Sequence, residues 1–310
     1  MKVLISGASG LIGSYVSKRY IEEGHHVIAL TRRPEKFRHD NGYTDVVKFD
    51  YKSDKLPSSI NNTDLVINLM GKNLVTRWTR SNKNAIYNSR VKTTKYLVEE
   101  LSRLSSPPKM LESASAIGFY NDTEPTIKNE NSSNGFGYLP KLCLDWENEA
   151  LKAESFGINT SILRIGIVIS KRGGALPRML LPFKFGLGSK FGHGKQIWSW
   201  IHIEDVFRAI EYIRSNTITG PINIVSPKSV TQENFGRELA KVLNRPYLFS
   251  IPGSLLKIGL GEMSIELLSS KDVSPAILSG NGFEFQYSTI NEALISEIEK
   301  SKNTNDVSSF

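Results

Sequence analysis

Through the first 170 residues, short apolar strands alternate with amphipathic helical stretches. A glycine-spaced turn, Ser6-Gly7-Ala8-Ser9-Gly10-Leu11-Ile12-Gly13, follows directly behind the first strand. Beyond residue 170 the alternation gives way to scattered glycines, aromatics and short helical patterns. These three observations predict an α/β protein: a Rossmann-type doubly wound parallel sheet with a smaller, mostly helical C-terminal lobe.

Each element follows from its pattern. Residues 3–6 are an apolar or small run and read as the first strand. The next segment places Leu11, Ile12, Tyr15, Val16 and Tyr20 on one helical side and stops at Gly24. Residues 27–31, 46–49, 65–69, 110–113 and 161–169 read as five further strands. A helix is expected around 84–102, ended by Pro107-Pro108, and another over roughly 139–154, ended by Gly157. Residues 171–195 carry six glycines among Arg178, Phe183, Phe185 and Phe191. They read as a helix-and-loop insertion able to close over a ligand, not as a sheet strand. Residues 222–225 look like a returning strand, and 283–287 like a strand of the second lobe. The expected division is residues 1–170 and about 201–226 in the sheet domain, about 171–200 and 227–298 in the smaller cleft lobe, and 299–310 as a polar, flexible tail.

Composition narrows the class. The chain has 310 residues, 39% hydrophobic and 23% charged, which suits a globular protein with a large core. No apolar run approaches the ~20 residues of a spanning helix, and the N-terminal run is too short and interrupted for a secretory signal. One cysteine, Cys143, forbids an internal disulfide, and a reducing cytoplasmic location is expected. The net charge of +8 raises the question of nucleic acid. The basic residues are scattered, however, and adjacent ones form only pairs such as Arg32-Arg33 and Lys171-Arg172. They read as a solvated basic surface, with some of the charge serving an anionic cofactor. The partners expected are an unidentified small-molecule substrate, no nucleic acid and no membrane, with the chain a monomer or homodimer.

The glycine turn carries the clearest chemistry. Gly7 permits the tight turn off the strand, Gly10 lets backbone approach a pyrophosphate, and Gly13 lets helix and strand pack closely. The helix start at Ser9, Leu11 and Ile12 supplies N–H donors and the positive end of a dipole. This predicts a dinucleotide. At the end of the second strand an NAD-binding chain usually carries a carboxylate for the ribose 2′-hydroxyl. Here the residues are Thr31-Arg32-Arg33, and guanidinium groups suit a 2′-phosphate. NADP(H) is the expected cofactor. Asp50, behind the third strand, stands where an adenine edge is often held, or is an ordinary strand-end aspartate.

The same residues carry a resemblance. Gly-x-x-Gly-x-x-Gly, Asn68-Leu69-Met70-Gly71 and Trp200-Ile201-His202-Ile203-Glu204-Asp205-Val206 resemble extended short-chain dehydrogenase/reductases. Trp78, Asn88-Ser89-Arg90-Val91, residues 113–120, Asp145-Trp146-Glu147, Gly173-Gly174-Ala175-Leu176 and Gly282-Phe283 are similar to the atypical "epimerase family" subgroup, across residues 1–298. The resemblance implies an extended Rossmann fold with a small C-terminal lobe, and a cofactor pocket lined by Leu69, Met70, Gly71, Arg90, Ser113 and Ile167. It also implies a Tyr-x-x-x-Lys pair on a helix, the lysine lowering the tyrosine pKa for proton transfer. In the register set by Asp145-Trp146-Glu147, Leu139 stands at the tyrosine position and Cys143 at the lysine position. Starting from Tyr138 instead places Leu142 four residues on, and Lys141 falls one short. The pair is absent. Arg90 stands where the superfamily has asparagine.

The remaining catalytic candidates are Ser115, Tyr120 and Cys143. Ser115 follows the fifth strand and can present a hydroxyl to a carbonyl. Tyr120 can donate as a neutral phenol, and Cys143 can act as acid or nucleophile beside a cation. Each also has a structural reading, as a strand-end serine, a packed tyrosine and a small buried hydrophobe. His202 reads as a packed, hydrogen-bonded histidine, and no ligand cluster for a metal stands near it. Two functions are compatible: an NADP(H)-dependent oxidoreductase or epimerase on an unidentified small molecule, or a non-catalytic NADP(H)-binding sensor or partner-binding protein.

Overall fold

The computed structural model describes residues 1–37, 42–121 and 126–305. The first half runs β1 (Lys2–Ser6), α1 (Leu11–Glu22), β2 (His26–Thr31), β3 (Asp45–Lys48), β4 (Leu65–Asn68), α2 (Arg80–Tyr87), α3 (Thr93–Ser102), β5 (Met110–Ala116), α4 (Tyr138–Leu151) and β6 (Asn159–Ile165). It continues with β7 (Ile167–Ile169), α5 (Leu176–Lys184), β8 (Gly188–Phe191), β9 (Ile197–Trp198), β10 (Trp200–His202), α6 (Ile203–Asn216) and β11 (Gly220–Ile224). The remainder is β12 (Val230–Thr231), α7 (Gln232–Leu243), β13 (Tyr247–Ile251), α8 (Gly253–Leu260), α9 (Ser264–Leu268), α10 (Ala276–Gly280) and α11 (Ile290–Asn305).

Seven parallel strands form one sheet in the order β11-β6-β5-β4-β1-β2-β3. Both faces are covered, so alternate residues of one strand serve different cores. Val3 and Ile5 of β1 join α1 and α6, whereas Leu4 joins Leu97 and Leu101 of α3. Full burial of such a side chain contributes about 1.5–3 kcal/mol, which explains strands with no polar alternation. The chain order reverses between β1 and β4, and an open α/β sheet binds its ligands in the crevice beyond such a point. A third apolar cluster gathers Leu176, Phe183, Trp198 and Trp200 with Phe235, Leu239, Tyr287 and Leu294.

Five expectations change. The strand read over 161–169 breaks at Gly166. Beyond it β7 leaves the sheet to pair with β10, as the Ile167 N–H donates to the Ser199 carbonyl at 3.0 Å. The helix read around 84–102 begins earlier, at a Thr79 cap whose side chain accepts from the Asn82 N–H, and is divided by a π-helical turn at Asn88–Lys92. Residues 171–195 contain a strand after all, β8, paired in parallel with β13. Residues 283–287 form none. The Gln286 and Tyr287 N–H groups donate to the Asp205 carboxylate, each at 2.9 Å, in place of a neighbouring strand; Phe283 and Phe285 pack on each other in the first apolar cluster, while Tyr287 joins the third. The backbone of the expected tail is helical to Asn305, and residues 306–310 lie outside the described residues.

Two ionisable groups sit inside the sheet. Arg164 of β6 forms a buried bidentate pair with Glu147 of α4, at 3.0 and 2.8 Å. Its other nitrogen donates to the Tyr120 hydroxyl at 2.9 Å and to the Glu130 carbonyl at 3.3 Å, and the guanidinium lies 3.6 Å from the Phe119 ring centre. Glu112 of β5 is fully buried, and neither carboxyl oxygen has a hydrogen-bond partner. Burial first, then the nearby Glu211 carboxylate, push its pKa well above the ordinary carboxylate value, with Arg214 opposing.

The folded chain therefore keeps a proton on Glu112 that the unfolded chain releases above about pH 4.3. This group's contribution is complete below that pH and is lost as pH rises toward its raised folded value. Glu112→Gln is expected to melt several degrees higher than the parent near neutral pH, with the gap closing near about pH 4. Thermal melts across that range test this, and a gap independent of pH would contradict it. For the ion pair, Arg164→Met leaves a buried carboxylate unpaired and is expected to cost about 3–5 kcal/mol in urea unfolding. Adding Glu147→Leu is expected to restore most of that loss.

Candidate functional site

The crevice starts at the turn between β1 and α1. Gly7 adopts φ +76°, and a Cβ there would lie 2.6 Å from the Leu69 carbonyl oxygen. A Cβ on Gly13 would lie 2.2 Å from the Gly7 carbonyl oxygen, so only glycine lets α1 sit this close to the turn. Gly10 is the N-cap and supplies no side-chain acceptor, and the first turn of α1 has no acidic residue. Its leading N–H groups thus lack the side-chain partner that Thr79 gives α2 and that His202 gives α6. Ser9 and Gly10 are exposed, and Leu11 and Ile12 half-buried, at this end. An uncapped helix start behind a backbone that excludes Cβ atoms fits a pyrophosphate.

Beneath the turn lies a buried polar hub. Asn68, the last residue of β4, accepts from the Ser6 hydroxyl at 2.8 Å. It donates to Thr94 at 2.8 Å and to Ser113 at 3.0 Å, while the Trp146 indole also donates to Thr94 at 2.9 Å. The hub ties β1, β4, β5, α3 and α4 together under the crevice. It places Ser113, expected on the pocket wall, wholly buried in the floor. Leu69 and Met70 follow directly, the Leu69 N–H bonded to the Ser6 carbonyl at 3.0 Å.

Arg90 rises from the π-helical turn against Gly71, where a Cβ would lie 2.8 Å from its guanidinium carbon. It donates to the Lys72 carbonyl at 2.9 Å and lies 5.3 Å from the Trp146 ring centre. Among the described residues it pairs with no carboxylate, and burial lowers its pKa. A desolvated cation without a counter-ion, beside the glycine turn, fits an anionic group of a ligand.

On the other side of the turn, Thr31 closes β2 and its hydroxyl accepts from the Arg33 N–H at 3.1 Å. Arg32 and Arg33 are exposed and, among the described residues, unpaired with carboxylates. Arg32 lies near enough to Tyr51 to oppose the burial that raises that phenol to about 12. Asp50 is half-buried, its N–H donating to Asp54 at 2.7 Å. Ile167 opens β7, and the chain just beyond it, Gly173-Gly174, packs on Leu11 within 3.3 Å of where Cβ atoms would stand. The insertion after residue 170 therefore meets the glycine turn directly.

The three proton-transfer candidates converge where β5 faces α4, but their groups are engaged. Ser115 donates to Glu147 at 2.6 Å. The Tyr120 phenol is buried, donates to Asn223 at 2.7 Å and accepts from Arg164; burial raises its pKa, and Arg164 opposes that. Cys143 is buried under Ile117 and Val273. Burial first, then Glu147, push its thiol up to about 12, with Lys271, Arg90 and Ser115 opposing. A thiol so raised carries almost no thiolate at neutral pH. His202 caps α6, its Nδ1 accepting from the Glu204 N–H at 3.1 Å and its Nε2 lying 3.1 Å from Glu297.

Sequence reasoning missed Arg164 and the Asn68 hub. Arg164 had a signal, being the one charge inside the apolar run 161–169. Asn68 had only its place at a strand end, which does not reveal three side-chain partners distant in sequence.

Comparison with known proteins is consistent with this geometry. The model of the NAD-dependent epimerase/dehydratase family matches residues 3–225, and a domain of unknown function, DUF1731, matches residues 251–296. The chain is 36% identical over 292 residues to "Epimerase family protein SH2119" of Staphylococcus haemolyticus, covering 93% of this chain and 95% of that one. It is 32% identical over 296 residues to "Epimerase family protein YfhF" of Bacillus subtilis, covering 95% and 97%. The human epimerase family protein SDR39U1, solved with NADPH, superposes with a TM-score of 0.84 at 25% identity, covering 96% of this chain and 99% of that one. With the glycine turn, the seven-stranded parallel sheet and a family match across most of the chain, this protein belongs to the NAD-dependent epimerase/dehydratase family and is an NAD(P)-binding, epimerase-family protein.

Proposed function

We propose that the chain binds NADP(H) and acts as an oxidoreductase or epimerase on a small molecule held between the strand ends and the C-terminal helices. The observation that carries the cofactor choice is the end of β2. Two exposed guanidinium groups stand there, and no carboxylate occupies residues 31–33 to receive a 2′-hydroxyl. The NADPH in the human relative supports the same choice. The pyrophosphate belongs on the bare N-terminus of α1, framed by Gly7, Gly10 and Gly13. The 2′-phosphate belongs with Arg32 and Arg33, and Arg90 faces a further anionic or ribose group. Leu69, Met70, Gly71 and Ile167 form the wall, with Ser113 supporting it from below.

The bound nicotinamide supplies hydride chemistry. The chain's own part is to orient it and exclude water. Ser115, Tyr120 and Cys143 act in this reading by holding the wall beside α4, since their hydrogen-bonding groups are occupied. A specific observation favours a second reading, a non-catalytic NADP(H)-binding sensor: the tyrosine–lysine pair is replaced by Leu139 and Cys143, both buried and neither able to relay a proton at neutral pH.

Fluorescence titration is expected to show tighter binding of NADPH than NADH. Arg32→Ala/Arg33→Ala is expected to weaken NADPH by roughly ten- to a hundredfold, the loss of a charge-assisted bond or two, and to leave NADH nearly unchanged. Equal losses for both nucleotides would contradict the assignment. Incubating the NADPH-loaded protein with a panel of small aldehydes, ketones and sugar nucleotides, and following absorbance, separates the two functions. Oxidation above the rate of free NADPH supports the enzyme, and none across the panel supports the sensor.

A further inference from the structure

Two stretches of the chain, residues 171–195 and 241–258, together hold nine lysines and arginines and not one aspartate or glutamate. The fold brings them side by side. Strand β8 pairs with β13, and the Arg245 guanidinium donates to the Lys184 carbonyl at 3.1 Å. A register shift between Tyr247 and Phe249 leaves both Leu248 and Phe249 facing outward. Leu248 is 80% exposed and Phe185, at the end of α5, 75% exposed; Leu181 and Leu187 stand out beside them. Helix α8, which follows β13 in the chain, also exposes Leu255 and Ile258. A groove of about 320 Å³ adjoins this face, walled by Pro177, Leu180, Leu181 and Leu243 together with Lys171 and Lys184. Its one carboxylate, Glu297, is taken up by His202 and the Lys171 N–H. Among the described residues, Lys184, Lys241, Arg245 and Lys257 form no ion pair, whereas Lys190 reaches Glu233 at 4.0 Å.

Single exposed apolar side chains are ordinary, but a run of large ones set among unpaired cations is not. We propose that this face docks on the surface of an anionic lipid bilayer, the leucines and phenylalanines entering the headgroup–acyl boundary and the lysines meeting the headgroups. A second copy of the chain is disfavoured by charge, because a two-fold contact apposes the same patch and so sets these cations against each other. Lysine ammoniums on flexible stems are point charges suited to a diffuse anionic surface. No described helix is long and apolar enough to cross a membrane, so the attachment is peripheral. This revises the expectation of no membrane partner, which rested on spanning runs and on charges adjacent in sequence; the patch is assembled from two separate stretches.

Sedimentation of the full-length protein with vesicles tests the proposal. Vesicles of phosphatidylcholine with about 30% phosphatidylglycerol are expected to bind it at least tenfold more tightly than phosphatidylcholine alone, and to release it at high salt. Leu248→Ser/Phe249→Ser and, separately, Lys184→Glu/Lys257→Glu are each expected to cut that binding about tenfold with unchanged thermal melting. Absence of binding by the parent protein overturns the proposal, as does equal binding to both vesicle types. Undiminished binding by both folded variants does the same. A dimer in light scattering that Leu248→Ser/Phe249→Ser disperses would assign the face to a second copy. Capture of an acidic peptide in place of vesicles would assign it to a protein partner.

Discussion

The Arg164–Glu147 pair is the constraint on which much of this molecule hangs. A guanidinium inside a parallel sheet is tolerable only if its donors are met, and here they are met by parts of the chain that are otherwise far apart. Glu147 fixes α4 against β5 and β6 and takes the Ser115 hydroxyl. Tyr120 passes the connection to Asn223 of β11. Asn223 in turn donates its N–H to a Glu130 carboxyl oxygen and its side-chain amide to the Ser274 carbonyl, while the same Glu130 oxygen accepts from the Ile277 N–H at the start of α10. One buried charge thus coordinates the sheet, the helix that flanks the crevice and the C-terminal region.

That arrangement bears differently on the proposed binding and on turnover. The features proposed to hold a dinucleotide are open: an uncapped helix start and, among the described residues, two arginines and a buried guanidinium that pair with no carboxylate. The positions expected from the resemblance to carry a tyrosine–lysine pair hold buried Leu139 and Cys143, whose thiol is raised by burial. The crevice is therefore built to hold an anionic, extended cofactor with precision, and its wall beside α4 is held together by bonds that in an active proton relay would have to break.

The sheet domain was legible in the sequence because both-face burial leaves continuous apolar strands, and the glycine turn because only glycine fits where Leu69 and Gly7 carbonyl oxygens crowd the backbone. The placement of Arg32 and Arg33 was legible for a local reason too, since they directly follow the apolar run of β2. What the sequence hid was non-local. The apparent strand at 283–287 has the right alternation, but Asp205, some eighty residues earlier, takes the N–H groups that a strand would need. The pairing of β8 with β13 joins segments separated by α6 and α7, and neither segment carries a long apolar run. The engagement of Ser115, Tyr120 and Cys143 depends on Glu147, Arg164 and Asn223 meeting in space, which spacing along the chain does not encode.

The break at Gly166 has a consequence for synthesis. After β6 the chain leaves the sheet for β7, α5 and β8–β10 and returns only at β11, which pairs with β6 along Ser161–Ile165. A nascent chain that has just emerged through β6 thus presents an open strand edge, and must produce some sixty more residues before its own partner arrives. Until then the Asn223 acceptor for Tyr120 does not exist either. The protein's exposure to misassembly is concentrated in that interval of translation, not in its finished state.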